Sequence, residues 1–192
     1  MKRLERAALL LSLLESMEKQ GSWCGSTHLQ KACYFLQELL GVPLEFEFIL
    51  YKHGPYSFDL TDELTGLRAD SILTLRMRRA GYGPSYAGGE LRKLVMQRFP
   101  KTLARYRSQV EFVSSRLGDK GVADLERLAT ALYVRKEMGD ADDTDTQVSR
   151  IVELKSHVSR SEAVQAVSTV NEICREVMEN EKLMRLPNTK CQ

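Results

Sequence analysis

The chain has 192 residues, of which 43% are hydrophobic and 28% charged, values that are typical of a globular protein with a sizeable core. No hydrophobic run approaches the roughly 20 residues that a membrane-spanning helix requires. The Leu-rich segment 1–14 contains Glu5 and lacks a small-residue cleavage site, which disfavours a signal peptide. We therefore expect a cytoplasmic protein that has no membrane partner.

The cysteines and histidines form no recognisable metal or disulfide motif. The four cysteines are scattered without a CxxC pair, and no two of the three histidines have the spacing of a helical zinc site. We expect reduced thiols, no metal and no cofactor. These residues are Cys24, Cys33, Cys174, Cys191, His28, His53 and His157.

The sequence also lacks the common catalytic motifs. No GxSxG, Walker A or GxGxxG pattern occurs. A nucleophile needs a neighbouring base, and Cys24, which we expect to be the most exposed thiol, lies in a loop with Ser26 and His28. We expect no catalytic residues and no enzymatic activity, with hydrolysis at Cys24 or His28 as the enzymatic alternative.

Charge is distributed unevenly along the chain, although the net charge is only +2. The segment from Arg68 to Arg107 contains ten basic residues and two acidic ones, an excess of +8, so the rest of the chain carries −6. A basic block of this kind favours an anionic partner, either nucleic acid or an acidic protein surface. Alternatively, it pairs with the acidic flanks of its own chain.

Two helices are predicted at the start of the chain. Hydrophobic residues recur at helical spacing over residues 2–19, which predicts an amphipathic helix with its charges outward. A second helix is predicted over residues 27–40, because Thr27 and Gln30 fit a capping box and Gly41 follows the last hydrophobic position.

The next segment combines a strand, a turn and a helix. Phe46, Phe48 and Leu50 alternate with Glu45 and Glu47, the pattern of a half-buried strand. Gly54-Pro55 is expected to break that strand within the turn KHGPYS, residues 52–57. Ser57 can then cap a helix over residues 57–67. The turn either only shapes the chain or also presents its side chains to a partner.

A basic hairpin follows this helix. Residues 73–77 alternate between hydrophobic and mostly basic side chains, and the Gly/Pro/Tyr-rich segment 80–89 is predicted to turn into a short return strand near residues 85–87. Such a hairpin can act as the wing of a winged helix, which contacts phosphates with cations and stacks its aromatic rings on bases. The candidate nucleic-acid-binding residues are Arg76, Arg78, Arg79, Tyr82, Tyr86, Arg92 and Lys93.

The helix before the wing argues against sequence-specific DNA binding. A recognition helix presents its N-terminal residues to the major groove, and here these include Asp59, Asp62 and Glu63. Unless they point away, these carboxylates would face a polyanion, which makes helix 57–67 a poor DNA reader.

The periodicity is helical from Glu90 to the end of the chain. Pro100 is predicted to interrupt or restart the first of these helices. After Pro100 a helix is predicted up to Leu117, and another from Leu125 to a turn at Gly139. An acidic loop (Asp140, Asp142, Asp143 and Asp145) is predicted to cap the next helix, over residues 146–157. The last helix is predicted to begin at a capping box formed by Ser159 and Glu162. The polar tail 186–192 is predicted to be frayed.

Together these elements predict a mainly α protein with a small β wing, an α+β fold. Residues 1–89 are expected to form a winged-helix-like subdomain, and residues 90–192 a helical subdomain packed on it. No low-complexity linker separates them, so we expect a single compact unit.

Two stretches resemble a known family. The helix LQKACYFLQELLG (residues 29–41) and the extended segment FEFILYKHGPYSFDL (46–60) are similar to the YwgA-like proteins and the Panacea, or SocA-like, antitoxin domain. The resemblance covers residues 29–67, with a weaker similarity of arrangement through the wing. The matching residues are Leu29, Gln30, Lys31, Tyr34, Tyr51, Gly54, Pro55 and Tyr56.

The resemblance implies a winged-helix-like, non-enzymatic module, because Panacea members neutralise unrelated toxins or act as adaptors. We therefore predict an antitoxin-like module that binds a partner protein such as a toxin, with a nucleic-acid-binding regulator as the alternative. The oligomeric state stays open. The predicted partner-binding residues are Lys31, Tyr34, Lys52, His53 and Tyr56.

Overall fold

The structure is a computed structural model that describes residues 1–79, 81–139 and 143–180. Within these residues the chain forms eight helices and four short strands. The helices are α1 (Arg3–Lys19), α2 (Ser26–Glu38), α3 (Phe58–Ala69), α4 (Arg92–Arg98), α5 (Pro100–Leu117), α6 (Val122–Met138), α7 (Thr144–Leu154) and α8 (Arg160–Glu179). The strands are β1 (Ile49–Tyr51), β2 (Gly54–Tyr56), β3 (Leu73–Arg76) and β4 (Ser85–Gly88).

Helix α1 lies in the core of the molecule rather than on its surface. Every hydrophobic residue from Ala7 to Met17 is buried, including Leu9 and Leu13, which lie off the predicted stripe. Ser12, Glu15 and Ser16 are only half-buried, so α1 keeps a polar face as predicted, but its buried face is wider than the predicted stripe. Helices α4 and α5 and strand β4 pack against it.

Helix α2 begins at Ser26, close to its predicted start. Its N-cap residue is Gly25, which has no side chain to bind the helix end, so the predicted capping box of Thr27 and Gln30 is wrong. Gln30 is instead turned into the protein, where it is 1% exposed. Helix α2 packs against α5 and α6 and against strand β2.

The strands form two separate antiparallel hairpins. In the first, Ile49 pairs with Tyr56 and Tyr51 pairs with Gly54, which leaves residues 52 and 53 as the turn. Gly54-Pro55 is predicted to lie within a turn over residues 52–57, but these two residues belong to the returning strand β2.

Only the end of the predicted strand 46–50 is regular strand. The expected alternation is present, because Phe46 is buried while Glu45 and Glu47 are exposed. The N–H and C=O of Phe46, however, bind the side-chain amide of Gln37 at 2.9 and 2.8 Å. A side chain thus takes the place of a neighbouring strand.

Strands β3 and β4 form the predicted wing. Leu73 pairs with Gly88 and Arg76 pairs with Ser85, which confirms a return strand near residues 85–87. The hairpin packs on α3 through β3 and on α1 through β4. Residue 80, in the predicted turn, lies outside the described residues.

Three local signals of helix ends are confirmed. Ser57 caps α3, because its Oγ accepts the N–H of Leu60 at 3.2 Å. Ser159 and Glu162 form the capping box of α8. Pro100 is the first residue of α5, directly after the break that ends α4.

The acidic loop before α7 is only partly described. Asp143 occupies the N-cap position of α7 but makes no side-chain capping bond, in contrast to the prediction. Residues 140 and 142 of this loop and the predicted frayed tail 186–192 lie outside the described residues.

One hydrophobic core crosses the predicted boundary between residues 89 and 90. It contains Leu10 and Phe35 from the first half and Val110 and Leu132 from the second. Because α1 and α2 both pack against helices of the second half, the two halves share this core. The fold is mainly α with two small β-hairpins, as predicted. None of the helices in the described residues is long and apolar enough to cross a membrane.

Candidate functional site

Helix α2 holds the first hairpin through the buried side chain of Gln30. Its amide accepts the N–H of Ser57 at 2.9 Å and donates to the C=O of Ser57 at 2.8 Å. The same amide nitrogen lies 3.0 Å from Thr61 Oγ1. Ser57 is fully buried, so Gln30 satisfies both of its backbone groups and positions the junction between β2 and α3.

Lys31 lies directly beneath the hairpin. It is only 2% exposed, and its Nζ donates to the C=O of Pro55 at 2.8 Å. Burial lowers the pKa of Lys31 to about 8, and the nearby carboxylate of Glu126 opposes this shift. Lys31 therefore supports the hairpin from inside the protein.

Position 54 requires a glycine for two reasons. Its φ angle is +84°, which side chains other than glycine rarely adopt. A Cβ atom at Gly54 would also lie 2.9 Å from Oγ1 of Thr130, on helix α6. Helix α6 thus approaches the backbone of β2 as closely as the absence of a side chain allows.

Lys155 holds the tip of the hairpin. Its Nζ donates to the C=O groups of Tyr51 and Lys52, each at 2.7 Å. Burial lowers the pKa of Lys155, and Glu126 again opposes the shift. His53 Nδ1 lies 3.2 Å from Glu126 Oε2 on α6. The turn is therefore attached to α2, to α6 and to the end of α7.

The outer face of the hairpin carries what we call the aromatic cluster, formed by Tyr51, Tyr56 and Phe58. Its ring centroids lie 5.9, 5.9 and 5.0 Å apart. Tyr51 and Phe58 are 54% and 55% exposed, and Ile49 on the same strand face is 43% exposed. The hydroxyl of Tyr56 is fixed by a 2.7 Å hydrogen bond to Thr61. Exposed, mutually packed aromatic side chains of this kind are typical of protein interfaces.

The predicted partner-binding residues fall into two groups. Lys31 and Tyr34 are buried, so their side chains are not available to a partner, and their assignment as contact residues is corrected. Lys52 and His53 are exposed at the hairpin turn. Tyr56 is half-buried as a member of the aromatic cluster.

Sequence reasoning missed Ile49 and Phe58, although the sequence contains a signal for each. Ile49 falls on the outward face of the alternating segment, where Glu45 and Glu47 also lie. Phe58 lies off the hydrophobic stripe of α3, whose buried residues are Leu60, Leu64 and Leu67. A large hydrophobic residue at an outward position is a candidate contact.

The wing presents several of its predicted cations to solvent. Arg76, Arg79 and Lys93 are exposed and make no ion pair within the described residues. Arg78 is exposed too, but it pairs with Glu18 on α1.

Aromatic rings lie beside these cations. The guanidinium of Arg79 lies 5.1 Å from the ring centroid of Tyr82, and the rings of Tyr82 and Trp23 are 5.4 Å apart. Tyr86 and Arg92 are half-buried. The aromatic interleaving that the sequence predicts is therefore present at the wing.

Helix α3 has an acidic outward face. Asp59 and Asp62 are both exposed, whereas Glu63 lies 3.4 Å from Arg3 and 3.5 Å from Arg6 on helix α1. The two exposed carboxylates would repel DNA phosphates, so α3 is unsuited to read a major groove.

Cys24, the nucleophile of the enzymatic alternative, is not exposed. Cys24 is fully buried, so the prediction of an exposed thiol is wrong, and burial raises the pKa of Cys24. Cys33 is buried, as predicted. His28 is only 5% exposed. Among the described residues, no three His, Cys, Asp or Glu side chains form a group that could hold a metal ion.

No protein-family model matches the sequence, and no curated protein matches it. The resemblance of residues 29–67 to the YwgA-like and Panacea proteins therefore stays a prediction. The fold adds a physical role to its residues, because Gln30 and Lys31 both bind backbone groups at Pro55 and Ser57.

Proposed function

We propose that this protein is a non-catalytic, antitoxin-like or adaptor module, and that its partner protein docks on the aromatic cluster. The observation that carries the proposal is the cluster itself, in which Tyr51 and Phe58 are more than half exposed. The resemblance to Panacea proteins supports the same class of function. Cys24 and Cys33 are buried and form no disulfide within the described residues, which supports a cytoplasmic location.

The way in which the cluster is held favours binding. Association costs less conformational entropy when the contacting side chains are already ordered. Here the three rings pack on each other, and Lys31 and Lys155 hold the hairpin backbone beneath them. Lys52 and His53 add a polar edge at the turn, as expected for the rim of an interface. A partner with a hydrophobic pocket and an acidic border fits this surface.

The test is to compare partner binding by the wild type and by the double variant Tyr51→Ala/Phe58→Ala. Partners are crosslinked to the tagged protein in its own cells, identified, and then reconstituted with purified proteins for calorimetry. Aromatic contacts at the centre of an interface contribute about 1–2 kcal/mol or more each, so we expect at least a tenfold (~1.4 kcal/mol) loss of affinity in the double variant.

Tyr82→Ala is the matched control, because Tyr82 is 54% exposed but lies on the wing. It should bind the partner as the wild type does, and circular dichroism should show that all three proteins are folded. Equal affinity of the double variant and the wild type would show that the cluster is not the docking site. The absence of any protein partner would end the proposal.

Nucleic-acid binding by the wing is the second candidate function. It is favoured by exposed cations without ion pairs in the described part of the chain, which lie on the wing (Arg76, Arg79) and on the helices α4 and α5 that follow it (Lys93, Arg98 and Lys101). If these five cations contact phosphates, affinity for a labelled oligonucleotide should fall about five-hundredfold between about 50 and about 200 mM salt. Failure to bind at low salt would exclude this function.

A further inference from the structure

A cleft of about 600 Å³ lies between the wing and the N-terminal ends of α2 and α6. A volume of this size is typical of sites for small organic ligands. The ring of Trp23 is fixed by a 3.0 Å hydrogen bond from its Nε1 to the C=O of Gly83. The apolar wall consists of Trp23, Leu75, Tyr82, Pro84, Tyr86 and Val122.

One end of the cleft is formed by the first turn of α2. The N-cap residue Gly25 provides no side-chain cap, and the N–H groups of residues 26–28 make no hydrogen bond within the described residues. Free N–H groups and the positive end of the helix dipole together favour an anion.

His28 adds a second and independent feature at this end. His28 lines the cleft and is only 5% exposed. Its Nδ1 has no hydrogen-bond partner in the described part of the chain. Native proteins rarely leave a buried polar atom unpaired, so a ligand group that bonds to the imidazole explains its position.

Gly25 keeps the space beside His28 open. Its φ angle of −76° suits any residue, so the backbone does not require a glycine here. A Cβ atom at this position would, however, lie 3.2 Å from Cδ1 of Trp23 and 3.7 Å from Nδ1 of His28. Any side chain at position 25 would therefore enter the space between the aromatic wall and the imidazole.

The charges around the cleft favour anion binding at the α2 end over the α6 end. Asp119 and Lys120 line the cleft but pair with each other at 2.8 Å. At the start of α6, Asp124 already lies close to Gly121, so a carboxylate occupies that helix end. The first turn of α2 contains no acidic residue. An anion should therefore bind to α2.

We propose that this cleft binds a mononucleotide, with its phosphate on the first turn of α2 and its base against the aromatic wall. The N–H groups of residues 26–28 and the imidazole of His28 would bind the phosphate. The rings of Trp23, Tyr82 and Tyr86 offer apolar and stacking contacts to any base, so we expect little discrimination between bases. This site shares no residue with the aromatic cluster.

Trp23 makes the proposal directly measurable, because it is the only tryptophan in the chain. The purified full-length protein is titrated with AMP, UMP, the two matching nucleosides and inorganic phosphate. Excitation is at the red edge of the indole band, where the bases do not absorb. We expect each nucleotide to change the fluorescence of Trp23 and to bind at least about tenfold more tightly than its nucleoside or phosphate alone. Amide resonances of residues 26–28 should shift with nucleotide and with phosphate.

Gly25→Ser is the decisive variant. Serine is a favoured N-cap residue whose hydroxyl competes for the same N–H groups, and its Cβ requires only a small shift of Trp23, so the variant should stay folded, which thermal unfolding checks. We expect the affinity for nucleotide to fall about tenfold, to the level of the nucleoside. Tyr82→Leu should instead reduce the ratio of the affinity for nucleotide to the affinity for inorganic phosphate.

Tyr51→Ala/Phe58→Ala serves as the control, because loss of the proposed partner site should leave nucleotide binding unchanged. Unchanged nucleotide affinity in Gly25→Ser would overturn the placement of the phosphate. No response of Trp23 or of the amides 26–28 to millimolar nucleotide would overturn the site. Binding of oligonucleotides without binding of mononucleotides would replace it with the second candidate function.

Discussion

At the scale of single residues, Lys31 shows how a charged side chain can serve as an internal support. It is buried beneath the hairpin, bonded to the C=O of Pro55, and close enough to Glu126 and Lys155 for both to affect its pKa. A buried ammonium group loses hydration, which is why the pKa of Lys31 falls to about 8. The side chain that the sequence marks as a contact to a partner thus acts on the hairpin instead.

The lowered pKa of Lys31 predicts a pH dependence of stability. Between about pH 8 and the ordinary lysine value of 10.5, the unfolded state binds the proton and the folded state does not, so stability should rise with pH. Relative to Lys31→Met, the free energy of unfolding of the wild type should increase by about 2 kcal/mol from about pH 7.5 to about pH 9.5. Urea denaturation at several pH values measures this difference.

Other groups that titrate in this range are common to both proteins and cancel in the comparison, except Lys155, whose charge interacts with that of Lys31. Lys93→Met, at an exposed position on α4, is the matched control and should follow the wild type. If the free energies of unfolding of the wild type and Lys31→Met differed by the same amount at every pH, the lowered pKa of Lys31 would be contradicted.

At the scale of elements, α2 acts as a clamp on the segment that follows it. Gln30 binds the backbone of Ser57, and Gln37, two turns further along the same helix, binds the backbone of Phe46 in the same two-bond manner. The segment between Phe46 and Ser57 contains the hairpin, so α2 holds it at both ends.

The two glutamines are expected to differ in importance because their burial differs. Gln30→Ala leaves the N–H of the fully buried Ser57 without a partner, whereas its C=O still accepts from Thr61, so the free energy of unfolding should fall by about 2–3 kcal/mol. Gln37 is half-buried, so water can replace its amide, and Gln37→Ala should cost about 1 kcal/mol. Chemical denaturation of both variants tests this order, and equal losses would show that burial does not set the cost.

At the scale of the whole molecule, helices of the C-terminal half pack against the hydrophobic surfaces of the N-terminal helices. Helix α1 buries every hydrophobic residue from Ala7 to Met17, and α4 and α5 pack against it. Helix α2 is covered by α5 and α6. The chain therefore folds around one core, and the proposed partner site and the proposed nucleotide site lie on different surfaces of the same unit.

The shared core predicts that residues 1–89 do not fold alone. Without α4, α5 and α6, the fragment would expose a large hydrophobic surface of α1 and α2, which should prevent a cooperative fold. The fragment should show poorly dispersed amide proton NMR signals and no cooperative thermal transition. The full chain should show well-dispersed signals and a cooperative transition. A cooperative transition in the fragment would instead establish an independent winged-helix-like domain.

The sequence by itself determined the features that depend on near neighbours along the chain. The Ser57 cap, the capping box of α8, the break at Pro100 and the basic wing could all be predicted, because each results from interactions within a few residues. The mainly α fold class followed from the same local periodicities.

Only the tertiary structure decided which side chains face inward and which are shared with distant segments. Lys155 binds the C=O of Tyr51, 104 residues away, and no local pattern contains that contact. The burial of Lys31 and Cys24 and the exposure of Phe58 likewise depend on which helices pack around them. The sequence therefore located the turn near Gly54-Pro55, whereas the tertiary structure determined that β2 returns after it, that α2 and Lys155 support the resulting hairpin from within, and that an aromatic cluster forms its outer face.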